Sequence, residues 1–279
     1  MRLTVAKAAL VLSFAAALVI ALLVATDAPA RAAEGKDGDK RPAETAEQIA
    51  RAQELLKMLD ASNKMDVKSA LEDLGRLRTQ SARDILVKYI KKSKNAEWST
   101  YAINALGWAG NKEAVDFLCG KKGVRAKNVL IAAESCRALV SIGDKRAIPT
   151  LIEATKNKKV VVTRAAIKAV VQLDRSAPGL ADLMLKLAKR KESQIREAVA
   201  EAMATLADDR VIEPLIKMAT RDGNSIVRLR ACRSLGALRA PSARSALEKV
   251  AKKDKSADVR RAAREALGKI PVAPADPKK

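Results

Sequence analysis

The chain has 279 residues and a net charge of +22, from 54 Lys and Arg against 32 Asp and Glu, with no His and only two each of Trp, Tyr and Phe. A chain without histidine lacks the commonest general base and metal ligand. Cys119, Cys136 and Cys232 have no C-x-x-C spacing and no glycine-rich phosphate loop is present, so the composition points away from enzymatic chemistry and no cofactor or metal is expected.

In chain order, Arg2 and Lys7 precede an uncharged, mainly apolar run over 8–25, followed by Ala28-Pro29-Ala30-Arg31-Ala32-Ala33 with two A-x-A cleavage patterns. Residues 1–30 read as a signal peptide, which predicts export to the periplasm or medium. The run is longer than the usual apolar core of about 7–15 residues and close to the roughly 20 that span a bilayer. An uncleaved inner-membrane anchor therefore stays open. Residues 31–43, with Gly35, Gly38 and mixed charges, predict a flexible linker, and 271–279, with Pro271, Pro274 and Pro277, a disordered tail.

Between them, 44–270 repeats. A leucine-like anchor returns seven times at Leu74, Leu106, Leu139, Val170, Met203, Leu235 and Leu267, three times followed by Gly within the stack and once at its end. Eight residues before most anchors stands a large apolar residue (Trp98, Ile131, Val162, Ile195, Val227, Val259) and four before, usually an alanine (Ala70, Ala102, Ala166, Ala231, Ala263). These offsets share one face at 3.6 residues per turn and predict a buried helical stripe whose small residues let a neighbour approach. A second apolar segment precedes each stripe, as in Ile148, Leu151 and Ile152, so each unit is a helical hairpin. Pro149, Pro178, Pro214 and Pro241 fall at or near the starts of the first helices, where a missing N–H costs least, and Asp144, Asp174 and Asp208 or Asp209 are candidate caps. Turn residues every 15 or so positions break any sustained heptad, which disfavours a coiled coil. A period near 32 identifies a stacked repeat array.

Ile195-Arg196, Val227-Arg228 and Val259-Arg260, each followed by alanines and an anchor, and the run Ile142-Gly143-Asp144-Lys145-Arg146-Ala147 resemble HEAT repeats of the phycobilisome-lyase type. The resemblance implies an all-α, right-handed α-solenoid of about seven stacked hairpins whose second helices line a concave face. Two departures stand out: the irregular turn Cys119-Gly120-Lys121-Lys122-Gly123, and the first hairpin (44–77), which lacks the arginine pair and reads as a cap.

Charge is patchy: cations exceed anions by eleven over 81–175 and by nine over 211–270, while 176–210 is neutral. Lysines gather at the turn between the two helices of each unit, among them Lys156, Lys158 and Lys159, and stacking would align them in a basic ridge. Such a ridge suits an anionic partner, but cations also simply suit helix C-termini. On the expected concave face, Arg137, Arg164, Lys168, Arg233 and Arg261 alternate with Glu197, Glu201 and Glu265, a mixture that fits a protein surface better than a phosphate track. Arg196, Arg228 and Arg260 recur with the repeat and read as structural. Trp108 belongs to an aromatic group with Trp98 and Tyr101, either an interface anchor or filler at a joint.

These features favour a non-enzymatic exported scaffold that binds a protein partner, acidic in character, or an anionic envelope polymer. Nucleic-acid or other polyanion binding is an alternative; the export signal and the shortage of aromatics for base stacking disfavour nucleic acid. A bilin-lyase-like activity is implied by the resemblance alone. Membrane contact is expected only if the N-terminal segment is uncleaved.

Overall fold

A computed structural model of the chain describes residues 44–59 and 63–271. The expected signal segment, the linker and all of the tail beyond Pro271 lie outside the described residues. Within them fourteen α-helices and no strand pair in order into seven hairpins: α1 (Ala46–Met58) with α2 (Lys64–Leu77), α3 (Gln80–Lys92) with α4 (Ala96–Ala109), α5 (Lys112–Leu118) with α6 (Val129–Ile142), α7 (Ile148–Ala154) with α8 (Val160–Leu173), α9 (Leu180–Leu187) with α10 (Ser193–Met203), α11 (Ile212–Arg221) with α12 (Ser225–Ala237), and α13 (Arg244–Lys253) with α14 (Ala257–Lys269). Every second helix packs on its own first helix and on the second helices of adjoining units. The result is the all-α solenoid that the repeat predicts.

Side-chain caps set the helix starts. Asn63, Asn95, Asn128 and Asn224 each accept a backbone N–H two residues on, from Met65 (3.0 Å), Glu97 (2.8 Å), Leu130 (2.9 Å) and Ile226 (2.8 Å), satisfying donors that have no partner inside the helix. Asp144 and Asp208 act as expected, with one difference: each caps a single 3-10 turn, Lys145–Ala147 or Asp209–Val211, that leads into the first helix. Asp174 instead accepts from the Ser176 N–H and pairs with Lys145. Pro149 lies in the first turn of α7. Four residues past the anchor the backbone turns left-handed at Arg78, Gly143 and Arg239 (φ 53°, 79° and 50°), which ends the helix.

The stripe is the core. Leu74, Leu106, Leu139, Val170, Met203 and Leu235 are fully buried, as are Ala70, Ala102, Ala166, Ala231 and Ala263; Leu267, the last anchor among the described residues, is only half-buried. Where glycine follows the anchor, neighbouring second helices nearly touch backbone to backbone. A Cβ on Gly75 would lie 2.8 Å from the Ala105 carbonyl oxygen, one on Gly107 2.9 Å from Ala138 Cα, and one on Gly236 2.7 Å from Ala266 Cα. Joints carrying Val140, Val171 or Ala204 at that place are more open. Gly268 has nothing within 4 Å of the same position.

The third hairpin departs from the pattern as the sequence predicts, and for a local reason. Val124 N–H donates to the Leu118 carbonyl at 2.7 Å, folding the chain back over α5 after seven residues. A Cβ on Gly123 would fall 1.9 Å from that carbonyl oxygen, so only glycine fits the turn.

Candidate binding face

In each second helix the residues nine and two before the anchor and two after it lie within about 40° of one another around the axis, forming the face turned away from the first-helix layer. Two before the anchor stand Glu72, Asn104, Arg137, Lys168, Glu201, Arg233 and Glu265. All lie on the surface or half-buried, so the second-helix face carries a row of charge that the fold does not bury.

The five cations expected on this face divide by partner. Arg137 is held by Glu134 (Nε at 2.9 Å), which also accepts from Asn104 of the preceding unit at 3.1 Å. Arg261 bonds Asp258 at 2.7 Å and lies near Glu265. Lys168 and Arg233 are exposed and form no ion pair with any described residue. Arg164 is half-buried, and its Nε is enclosed without a hydrogen-bond partner. Glu197 does not stand free; it takes Arg230 of the next unit at 3.2 Å. Glu201 is exposed.

The aromatic group separates. Trp98 and Tyr101 contact each other at 5.6 Å between ring centroids, with Lys68 of the first hairpin 5.3 Å over Tyr101, so they fill the joint between the first two units. Trp108 is 42% exposed and faces outward from α4. The joint-filling reading therefore holds for the first two, and Trp108 is available at the surface.

Sequence reasoning missed a row of exposed apolar residues. Met65, Leu130, Val161 and Ile226, each nine before an anchor, are 72, 58, 51 and 51% exposed. Each directly follows a capping turn and precedes or adjoins the core residues of its helix, so in the sequence it merges with the core stripe. The alternation of the face only becomes legible once the helix start is fixed, by an Asn cap before Met65, Leu130 and Ile226 and at Lys159 before Val161.

The recurring arginines form a ladder along the turn edge. Arg196 grips Asp222 of the next unit with two bonds of 2.7 and 2.9 Å and also donates to the carbonyls of Arg190 and Lys191. Arg228 repeats this with Asp254 at 2.7 and 3.0 Å and with the carbonyls of Asp222 and Gly223. Arg260, in the last unit, keeps only the carbonyl bonds, to Asp254 and Lys255. In the fourth unit Thr163 occupies the same place and its hydroxyl donates to the Asn157 carbonyl, again six residues back. The Arg228 bonds hold the Asp254 carboxyl below its ordinary range; burial opposes the shift at Asp222, but the Arg196 bonds prevail. These arginines are structural, as their recurrence predicts.

The turn lysines are the remaining cations of this edge. Lys156 is tied to Glu153 at 2.6 Å, whereas Lys158 and Lys159 are exposed with no ion pair to a described residue. A cleft of about 640 Å³ between the sixth and seventh units is walled by Arg221, Lys249, Lys253 and Lys255, with Asp222 and Asp254 already engaged by the ladder. Chemistry finds little support here. All three cysteines are free, and burial raises the thiols, those of Cys136 and Cys232 to about 12. Among the described residues no group of three or more Cys, Asp or Glu could hold a metal ion, and no helix is long and apolar enough to cross a membrane.

Seven hairpins stacked through their second helices define a helical-repeat solenoid. The HEAT-repeat family model matches residues 52–120, 121–204 and 181–268, and the chain belongs to that family. Among solved structures, the Escherichia coli protein YibA is similar over 85% of this chain and 89% of its own at 20% identity, with a TM-score of 0.55. The CpcE and CpcF complex of phycocyanin lyase from Nostoc sp. matches at 19% identity over 86% of this chain and 100% of that one, with a TM-score of 0.47. Human deoxyhypusine hydroxylase matches at 16% identity over 80% and 96%, with a TM-score of 0.42. No curated protein matches the chain.

Proposed function

We propose that the protein is a non-enzymatic scaffold, exported through its N-terminal segment, that binds a protein partner along the second-helix face. The observation that carries this reading is the set of exposed side chains left over after the fold has taken its contacts: Lys168 and Arg233 without an ion pair to a described residue, and Trp108 exposed on the same face. Closer packing in the second-helix layer than between first helices supports the expectation that this face is concave. A lyase reading has less support, since the thiols are raised by burial and the chain has no histidine.

Photo-crosslinking tests the reading. A photoreactive residue replacing Lys168 or Arg233 in the full chain, expressed in its host, is expected to give discrete adducts, while the same residue at Lys186 or Lys217 on first helices is not. Adducts from the first helices alone would overturn it. The alternative, polyanion capture by the lysine ridge, predicts no crosslink from the face and binding that reversal of Lys156, Lys158 and Lys159 abolishes.

A further inference from the structure

In the third, fourth and sixth units an exposed apolar residue and a cation of the central charged row occur together. In α6, α8 and α12 an exposed apolar residue, Leu130, Val161 or Ile226, is followed seven residues later by a cation, Arg137, Lys168 or Arg233. In α10 and α14 both places change, to Gln194 with Glu201 and to Asp258 with Glu265, and α4 has Glu97 with Asn104; in α2 the exposed Met65 stands seven before Glu72, so the first hairpin lies outside the pattern. Single exposed aliphatic residues are ordinary on protein surfaces. Three that recur at one structural position, each coupled to a cation at a second, are a pattern with two rails.

Seven residues of helix rise about 10.5 Å and return to nearly the same azimuth. The rails are therefore about one α-helix diameter apart, since a helix with its side chains is roughly 10–12 Å wide. A helix lying across the second helices would touch the apolar rail on one flank and the cationic rail on the other. From the third to the sixth unit is three inter-helix steps of about 9 Å, a span matched by a helix of roughly 18 residues.

Resting on the reading of this face as a protein-binding surface, we propose that it recognises an amphipathic acidic helix of about 18–20 residues, with an aliphatic flank on Leu130, Val161 and Ile226 and a carboxylate flank on Arg137, Lys168 and Arg233. Glu201 interrupts the cationic rail, so the recognised helix carries a neutral or basic residue opposite the fifth unit. Charge complementarity selects the partner: the rail's Lys168 and Arg233 lack carboxylates of their own, and helix-in-groove binding by spaced apolar anchors is an established mode of recognition. A bilayer fits less well, because the cations lie on the far side of the apolar row from the lysine-rich turn edge and within the second-helix face.

The probe is a fluorescein-labelled 20-residue peptide with leucines along one helical flank and glutamates along the adjacent one, titrated with the full chain by fluorescence anisotropy. Controls are the same composition scrambled to destroy amphipathicity, and a version with lysines for glutamates. Binding of the glutamate peptide is expected to weaken at least tenfold in Leu130→Ser/Val161→Ser/Ile226→Ser and in Lys168→Glu/Arg233→Glu, with far-UV melting unchanged because all five side chains are exposed. The lysine peptide is expected to bind the Lys168→Glu/Arg233→Glu protein better than the wild type. Equal binding of the scrambled peptide, changes under twofold in both variants, or binding of phosphatidylglycerol vesicles through Leu130, Val161 and Ile226 without peptide binding would each overturn the proposal. Crosslinks from Lys168 with no glutamate-peptide binding would sink this inference and leave the scaffold reading standing; loss of both would sink both.

Discussion

The same dipeptide, an anchor followed by glycine, occurs in two mechanical situations, and substituting alanine at each should move stability in opposite directions. In Gly107→Ala the new Cβ would sit 2.9 Å from Ala138 Cα and 3.0 Å from its Cβ. Neither atom belongs to a flexible side-chain end, so α4 and α6 must move apart. Overpacking of this kind costs about 1–3 kcal/mol, and the higher helix propensity of alanine returns about 1 kcal/mol. The net expectation is a loss of about 1 kcal/mol. In Gly268→Ala the same methyl meets open space, so only the propensity gain of about 1 kcal/mol remains. For a folded region of this size, 1 kcal/mol corresponds to about 2–4 °C in melting temperature. Thermal and urea melts followed by far-UV circular dichroism should show Gly107→Ala below and Gly268→Ala above the wild type. Separating the second and third units should also broaden the urea transition of Gly107→Ala, because stacked repeats unfold together only as long as their interfaces hold. If both variants gain stability equally, the backbone contact at Gly107 is not a constraint and the account of the joints fails.

Three further perturbations probe the other layers of the argument. Leu235→Asp places a carboxylate at a fully buried anchor and should cost at least about 4 kcal/mol, enough to remove the cooperative melt; an unchanged transition would show the repeat register to be wrong. Asp254 has its folded-state pKa lowered by Arg228, so its contribution is complete above the unfolded value of about 3.9 and disappears as pH falls through the lower folded value. Asp254→Asn should therefore be less stable than the wild type at neutral pH by roughly 1.5–3 kcal/mol, with the gap closing below about pH 4; a gap independent of pH would contradict the ladder. Reversing Lys156, Lys158 and Lys159 to glutamate should change stability by no more than about 0.5 kcal/mol per site while reducing retention on a heparin column; a failure to fold would make the ridge structural.

Much of the architecture is legible in the sequence because a solenoid repeats its own evidence. One helical stripe alone is ambiguous, whereas seven with the same offsets fix the hairpin, its register and its buried anchors, and the recurring arginines at 196, 228 and 260 announce a structural role before any partner is known. The partners themselves are not legible. Asp222 and Asp254 each stand 26 residues from the arginine they bind, too far apart in the sequence for a local pattern to connect them. The asparagine caps are equally plain in the structure; Asn95 and Asn128 are easily passed over in sequence because they sit among lysines and alanines, whereas Asn224 follows the turn pair Asp222-Gly223. The apolar rail is hidden for a different reason: Leu130, Val161 and Ile226 adjoin Ile131, Val162 and Val227, and two adjacent aliphatic residues in a helix read as core until the helix start fixes which one faces out.

The large positive charge resolves into populations with different work to do, and the choice of side chain follows. Arginines hold the stack: Arg196 and Arg228 clamp successive turns, and Arg146 and Arg210 reach back to Asp116 and Asp182 of the preceding hairpin on the opposite edge. A planar guanidinium can bond a carboxylate twice and still donate to a carbonyl, which an ammonium cannot do in one geometry. Lysines line the turn edges, where flexible stems keep charge in water at little structural cost. Lys168 and Arg233 belong to neither population: they stand exposed in the middle of the second-helix face, on the same helices as the exposed Val161 and Ile226 and without an ion pair to a described residue. A fold that supplies acidic partners for its structural arginines from the next repeat, and leaves Lys168 and Arg233 without one, directs attention to these two as the place where a carboxylate arrives from another molecule.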